Sequence, residues 1–185
     1  EYKAFGTKTA AKEYLGMIAP KPKTDAENLP VPNSQVGVPL SDAPETDSDA
    51  AAYVDGSYNV RTGEFAFGAV LFVGGKMLTF SHCYADAELA AMRNVAGEIK
   101  GAEFVMKYAA ATGIRSIDIF YDYAGIENWA LGRWKTNKSG TRAYKVLCDE
   151  HFKKLRVRFV KVKGHSDNKY NDLADRLAKD AVGNP

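Results

Sequence analysis

Apolar and polar positions follow two rhythms along this chain, and each marks its own elements. Ala51-Ala52-Tyr53-Val54 is a short apolar run that ends on Asp55-Gly56-Ser57, the pattern of a strand running into a turn. Glu64–Val73 and Lys76–Tyr84 alternate as two further strands, and Gly74-Gly75 between them is a two-residue hairpin signal. From about Ala87 the period lengthens: Val95, Ile99, Ala102 and Met106 recur at helical spacing as far as Thr112, and Gly113 supplies the stop. Arg115–Tyr121 reads as a fourth strand leading directly into Asp122. A short helix over Ile126–Leu131, a longer one over Thr141–Lys154, a fifth strand over Arg156–Lys163 and a last helix over Asn168–Val182 complete the chain. Leu173, Leu177 and Ala178 share one face of that last helix. The order βββαβααβα predicts an α/β fold, a five-stranded mixed sheet with helices on both faces. No internal repeat is visible.

The N-terminal third lacks such rhythm. Residues 1–18 carry a helix start at Thr9-Ala-Ala-Lys-Glu that ends near Leu15, too short to bury a core of its own. Residues 20–50 hold six of the seven prolines and show no periodicity, so 19–50 is expected to be an extended, flexible linker and 51–185 the folded domain.

Composition narrows the function classes. At 185 residues there is room for one domain of about 130–150 residues plus extras. No run of 18 uncharged apolar residues exists and the first residues lack an apolar signal core, so no membrane association and a cytoplasmic location are expected. Cys83 and Cys148 are isolated thiols without CxxC spacing, which suits buried residues of a reducing compartment. The formal net charge of +2 hides an uneven distribution. Thr24–Ala50 contains six acids and no Lys or Arg, whereas Arg133–Lys163 contains eleven bases against two acids. The basic run is the footprint expected for a polyanion, with a solvated basic surface as the plain alternative.

Four carboxylates stand where structure alone does not require them. Asp55 and Asp122 follow strands, and the carboxyl ends of strands in α/β sheets are where ligands bind. Glu98 lies three residues after Val95 and four before Ala102, on the core-facing side of its helix, where an unpartnered carboxylate is costly. The last helix offers Asp172 and Asp175. A carboxylate in the first turn is favoured by the helix dipole alone, which accounts better for Asp172. Acidic groups gathered at one end of a sheet repel one another unless cations bind, and oxygen-rich sites of this kind suit Mg²⁺ and phosphate substrates.

These pieces together resemble a type I ribonuclease H over residues 51–183. The resemblance rests on Tyr-Val-Asp55-Gly-Ser, Arg-Asn94-Val-Ala-Gly-Glu98, Phe-Tyr-Asp122 and Val-Lys-Gly-His165, followed by Asn171-Asp-Leu-Ala-Asp175-Arg-Leu-Ala. It implies a ribonuclease H-like fold and cutting of the RNA strand of an RNA·DNA hybrid by two-metal-ion catalysis, leaving 5′-phosphate and 3′-hydroxyl ends. Asp55, Glu98, Asp122 and Asp175, rather than Asp172, are the implied ligands of two Mg²⁺ ions, with Mn²⁺ as a substitute, in a monomer. His165 resembles the mobile histidine that assists proton transfer or product release. Glu98 would also sense the ribose 2′-OH, by which RNA is told from DNA. Asn94 would contact the hybrid's minor groove, Gly56 and Ser57 would bring backbone close to the RNA strand, and Asn171 would position the helix or a phosphate. Trp134 and Lys135 are candidates for the DNA strand, Ser139 and Thr141 for one of its phosphates. Two departures stand out: Tyr123-Ala124 follows Asp122 where the family commonly has a polar pair, and Gly132–Gly140 is short where some members carry a long basic handle. Residues 1–18 resemble the end of the small hybrid-binding domain often fused to this nuclease. The rival readings are a catalytically silent hybrid-binding domain and another nuclease of the same fold.

Overall fold

A computed structural model describes residues 32–37, 43–163 and 168–184. The domain remnant expected at 1–18 and His165 lie outside the described residues. A mixed six-stranded sheet is built from β1 (Ser34–Gly37), β2 (Ala50–Tyr58), β3 (Phe65–Val73), β4 (Lys76–Tyr84), β5 (Ser116–Tyr121) and β6 (Arg156–Lys161), in the order β1-β4-β3-β2-β5-β6. β2, β3 and β4 form an antiparallel meander, while β5 and β6 run parallel to β2. The five strands expected from the sequence are therefore present in an α/β, ribonuclease H-like sheet.

The sixth strand is the difference. β1 comes from the stretch expected to be a flexible linker and pairs with the edge of β4. All four of its residues are exposed, so backbone pairing and a 2.8 Å bond between the Ser34 and Thr79 hydroxyls hold it, and apolar periodicity gives no sign of it. Nearer β2, residues 46–49 are also tied down. The Thr46 and Ser48 hydroxyls donate to the Asp118 carboxylate, which Arg158 grips from the other side with two N–H groups. Asp49 accepts the backbone N–H groups of Arg115 and Ser116 at 3.0 and 3.1 Å. Asp118 is fully buried, and these donors hold its carboxyl below the usual range despite the burial that opposes them.

The helices are α1 (Ala87–Ala90), α2 (Asn94–Thr112), α3 (Gly125–Ala130), α4 (Ser139–His151) and α5 (Lys169–Ala181). Strand alternation divides the core. Ala50, Ala52 and Val54 of β2 face one way, into a cluster with Ile99, Val105 and Met106 of α2, Ile126 of α3 and Tyr144 and Cys148 of α4. Ala51 and Tyr53 face the other way, with Phe72, Phe120 and Ala174 of α5.

The continuous helix expected from Ala87 to Thr112 is broken. Asp86 caps α1 by accepting the N–H groups of Glu88 and Leu89, and the chain then turns through Ala91–Arg93 before α2 starts. Arg93 has φ 54°, and no other non-glycine among the described residues has a positive φ. The break lets Leu89 and Met92 close around Gly140 of α4, where a Cβ would meet the Met92 methyl at 2.4 Å. No described helix is long and apolar enough to cross a membrane.

Candidate active site at the carboxyl ends of β2 and β5

Two parallel strands bring the first two carboxylates level. Ala50 pairs with Ile117 and Tyr53 with Phe120, an offset of 67 residues. Two residues beyond Tyr53 and Phe120, whose rings stack 4.4 Å apart, the same offset joins Asp55 to Asp122. Asp55 stands opposite Gly68 of β3 and so shares its face.

Missing side chains bring in the rest. A Cβ on Gly56 would lie 2.2 Å from the Asn94 carbonyl and 2.4 Å from the Glu98 amide, and one on Gly97 would lie 2.1 Å from the Ala66 carbonyl. Only glycine lets α2 sit this close to the β2–β3 pair, and that contact carries Glu98 to the strand end. On the opposite face, a Cβ on Gly68 would lie 2.0 Å from the Ala174 carbonyl, so α5 also rests directly on the sheet next to Asp175.

Asp55, Glu98 and Asp122 each offer an oxygen, and these oxygens lie within 4.8 Å of one another. Glu98 is 2% exposed, and its Oε2 is buried with no hydrogen-bond partner among the described residues. Burial, then the charges of Asp122 and Asp55, push its pKa up to about 9. Burial and the Asp122 charge push Asp55 to about 7, against the pull of the Gly56 N–H, which donates to Asp55 Oδ1 at 2.7 Å. Asp175 stands outside the three-residue cluster but close enough to raise Asp55 further, and Lys179, one turn later, holds Asp175 at 2.7 Å. Asp55 and Glu98, buried and raised together, with one Glu98 oxygen unpartnered among the described residues, form an environment that a cation would relieve. The oxygen-only donor set fits hard divalent ions such as Mg²⁺.

The remaining sequence candidates separate. Asn94 opens α2 and lines a groove of about 420 Å³ with Arg93, Tyr123, Trp129, Lys135, Asn137, Lys138 and Thr141. Trp134 is half exposed at the end of an edge-to-face series with Trp129 and Tyr123, rather than in the core. Thr141 is buried and its hydroxyl donates to the Lys138 carbonyl at 2.9 Å. Ser139 lines a different, smaller cavity of about 120 Å³ beside Glu103 and Lys100. Ser57 is buried, with its Oγ accepting from Asn184 at 3.1 Å. Asn171 is buried one turn before Asp175, and its Oδ1 lacks a partner among the described residues. Sequence reasoning passed over Arg93, Trp129, Asn137, Lys138 and Lys179. Only Lys179 had a usable signal, the four-residue interval from Asp175.

Comparison with known proteins agrees with this geometry. Residues 47–183 match the RNase H family. A ribonuclease H of Syntrophomonas wolfei is 30% identical over 140 residues, spanning 70% of this chain and 93% of that one. A ribonuclease H of Clostridium botulinum is 45% identical over 60 residues, a stretch that spans 31% of this chain and only 40% of the relative. Among solved structures, RNase H1 from the archaeon Halobacterium salinarum NRC-1 aligns with TM-score 0.60 at 24% identity, covering 72% of this chain and 97% of that one. LC11-RNase H1, solved with an RNA/DNA hybrid, aligns with TM-score 0.57 at 13% identity over 72% and 99%. At those identities the two structures speak for the fold. The matched span, the relatives and the shared architecture together make this chain a member of the ribonuclease H family.

Proposed function

We propose that the protein hydrolyses the RNA strand of RNA·DNA hybrids, cutting internally and leaving 5′-phosphate and 3′-hydroxyl ends. The observation that carries this reading is the convergence of Asp55, Glu98 and Asp122 within 4.8 Å, with one Glu98 oxygen buried and unpartnered. Asp55, Glu98, Asp122 and Asp175 would hold two Mg²⁺ ions, or Mn²⁺ in their place. When bound, such ions supply charge neutralisation and Lewis acidity at a phosphodiester.

The chain's own groups do the rest. Asp55 and Asp122, level on adjacent strands, would hold the cations that neutralise the reacting phosphate. Water adds to phosphorus, the bond to the 3′ oxygen breaks, and that oxygen takes up a proton. His165, four residues before Lys169 in sequence, assists that proton transfer or product departure. Glu98 also accepts from the 2′-OH, which selects RNA. Asn94 reads the minor groove, and Gly56 and Ser57 lie along the RNA strand. Lys135, Trp134 and the groove beside Asn94 take the opposite strand. Thr141 shapes the wall of that groove, with its hydroxyl already engaged, and Asn171 orients α5. Ser139, facing the other cavity, is removed from that surface. The hybrid held by LC11-RNase H1 supports the same ligand for this fold. The protein acts as a monomer in the cytoplasm on this reading.

The test is cleavage of an end-labelled hybrid beside single-stranded RNA, duplex RNA and duplex DNA. Mg²⁺-dependent cutting confined to the hybrid is expected. Activity that survives EDTA, or survives Asp55→Asn, would falsify the two-metal reading. Hybrid binding with no cutting under any divalent ion would favour a silent binding domain.

A further inference from the structure

Asp122 and the wall of the groove beside Asn94 belong to one short stretch of chain, and a single carboxylate holds the two ends of that stretch. β5 closes on Tyr121, and Asp122 follows it at the carboxylate pole of the sheet. Tyr121 is 1% exposed, and its hydroxyl donates to Glu127 Oε2 at 2.6 Å. The other Glu127 oxygen, Oε1, accepts from the Arg133 guanidinium at 3.0 Å. Trp134 comes next in the chain, and Lys135 after it. The residue before Asp122 and the residue before Trp134 therefore meet on Glu127.

Backbone bonds fix each end on its own side. The Tyr121 carbonyl accepts the Val162 N–H at 2.8 Å, and its ring packs edge-to-face on Phe159, so Tyr121 moves with the sheet. Beyond α3 the chain turns at Gly132, with φ 70°, and Arg133 and Trp134 both donate their backbone N–H groups to the Asn128 carbonyl, at 2.8 and 3.1 Å. That turn moves with α3, and so do the rings of Trp129 and Trp134, which meet edge-to-face at 5.8 Å. Ile126 is fully buried and already docks α3 in the core, so the bonds of Glu127 are not what buries the helix. A hydroxyl donating to a carboxylate is among the stronger hydrogen bonds, and here it joins the strand of Asp122 to the helix of the groove wall.

We propose that Glu127 is a positioning residue, whose two oxygens set the spacing between Asp122 and the Trp134 wall of the groove so that a hybrid seated in the groove presents its cut strand to the carboxylates. The proposal rests on the reading of this chain as a hybrid-cutting nuclease. The groove takes the strand that is not cut, and the carboxylates act on the other. The two strands of a hybrid stand at a fixed separation, so the distance between wall and carboxylates decides whether the phosphate arrives in place. With Glu127 removed, the hybrid still finds the groove, but its binding no longer orients the reacting group.

The full chain tests this by single-turnover cutting of hybrid at saturating protein and Mg²⁺, with affinity read separately from the anisotropy of labelled hybrid in EDTA. Glu127→Ala is expected to slow cutting by roughly ten- to hundredfold, the scale of a misplacement of about 1 Å, while affinity stays near that of the parent. Glu127→Gln keeps an oxygen for Arg133 and an amide that donates to the Tyr121 hydroxyl oxygen, so it should restore most of the rate. Tyr121→Phe and Arg133→Met each break one bond. Each should slow cutting, and the two together no further than Glu127→Ala, since all sever one link. Trp129 and Trp134 are the two tryptophans of the chain, and their emission in the free protein should shift in Glu127→Ala and Arg133→Met but not in Tyr121→Phe. Ile126→Val serves as the packing control, expected to lower the melting temperature without slowing cutting well below it. Cutting by Glu127→Ala at the parent rate, a loss confined to affinity, or Glu127→Gln as slow as Glu127→Ala overturns the proposal. So does an equal slowing in Ile126→Val. A parent chain that cuts no hybrid sinks the nuclease reading and this proposal together, a result distinct from cutting that ignores Glu127.

Discussion

At the residue scale, burial and neighbouring charge raise two carboxyl groups of the site, Asp55 and Glu98, above their ordinary range. Asp55 and Glu98 titrate near 7 and 9 in the folded chain, whereas in the unfolded chain both titrate at about 4. Their folded values are raised, so between about pH 4 and pH 9 the native state binds more protons than the unfolded one, and stability falls as pH rises through that window. In EDTA the urea midpoint should therefore drop between pH 5 and pH 9. Glu98→Gln should flatten that slope and abolish cleavage. Mg²⁺ should raise the midpoint more at pH 8 than at pH 6, because the ion replaces protons. A midpoint that climbs with pH in EDTA contradicts this account. Asp122→Asn should reduce cleavage of a hybrid by about 10²–10³-fold, the scale of losing a group that acts on transition-state charge. Arg93 is a second residue under strain. Arg93→Gly should stabilise the fold by about 1 kcal/mol while weakening hybrid affinity, since the arginine lines the groove beside Asn94. A loss of stability would mean that its side chain packs more than its φ costs.

At the scale of elements, the site depends on how closely two helices approach one sheet. Gly56 and Gly97 seat α2, and Gly68 seats α5. Gly68→Ala forces a Cβ into the Ala174 carbonyl, and neither backbone can yield without moving the helix. The expected cost is roughly 1–3 kcal/mol, read as a lower urea midpoint. Cleavage measured well below that midpoint should fall as well, since Asp175 moves with α5. Wild-type activity at reduced stability would show that the site tolerates the shift. The helices matter unequally to the sequence reading. α2 has a mixed surface: Glu98 is buried at the carboxylate cluster, and Glu103 is buried beside α4, with Lys100 bonded to it at 2.8 Å. Its periodicity located it but gave no sign of the break at Arg93, which follows from packing against Gly140.

At the scale of the whole molecule, charge is arranged in relation to the carboxylate pole. Arg93, Lys135 and Lys138 rim the groove that opens beside Asn94. If that rim binds phosphates, hybrid affinity should fall steeply with salt, log K declining by about 0.9 for each phosphate neutralised on duplex DNA. Lys135→Ala with Lys138→Ala should make the slope shallower, and an unchanged slope would assign those lysines to solvent. The basic run read from Arg133 to Lys163 is not one surface. Arg158 is consumed by Asp118, and Lys145 and Lys153 pair with Asp149 and Glu150 on the same stretch of chain.

The sequence by itself determined most of the elements, the class of fold and three carboxylates, Asp55, Glu98 and Asp122, that the structure brings together. Strand alternation, helical period and glycine stops are local consequences of which positions are apolar, and they carry through to β2–β6 and to α3–α5. Tertiary structure alone decided the rest. The level placement of Asp55 and Asp122 comes from the register of two strands more than sixty residues apart, and register is a property of a pair. Glycine at 56, 68 and 97 acquires its meaning only from the helix laid against it. β1 is set by a free backbone edge on β4 and has no apolar pattern to announce it. The orphaned oxygen of Glu98 likewise exists only when the core has closed around it.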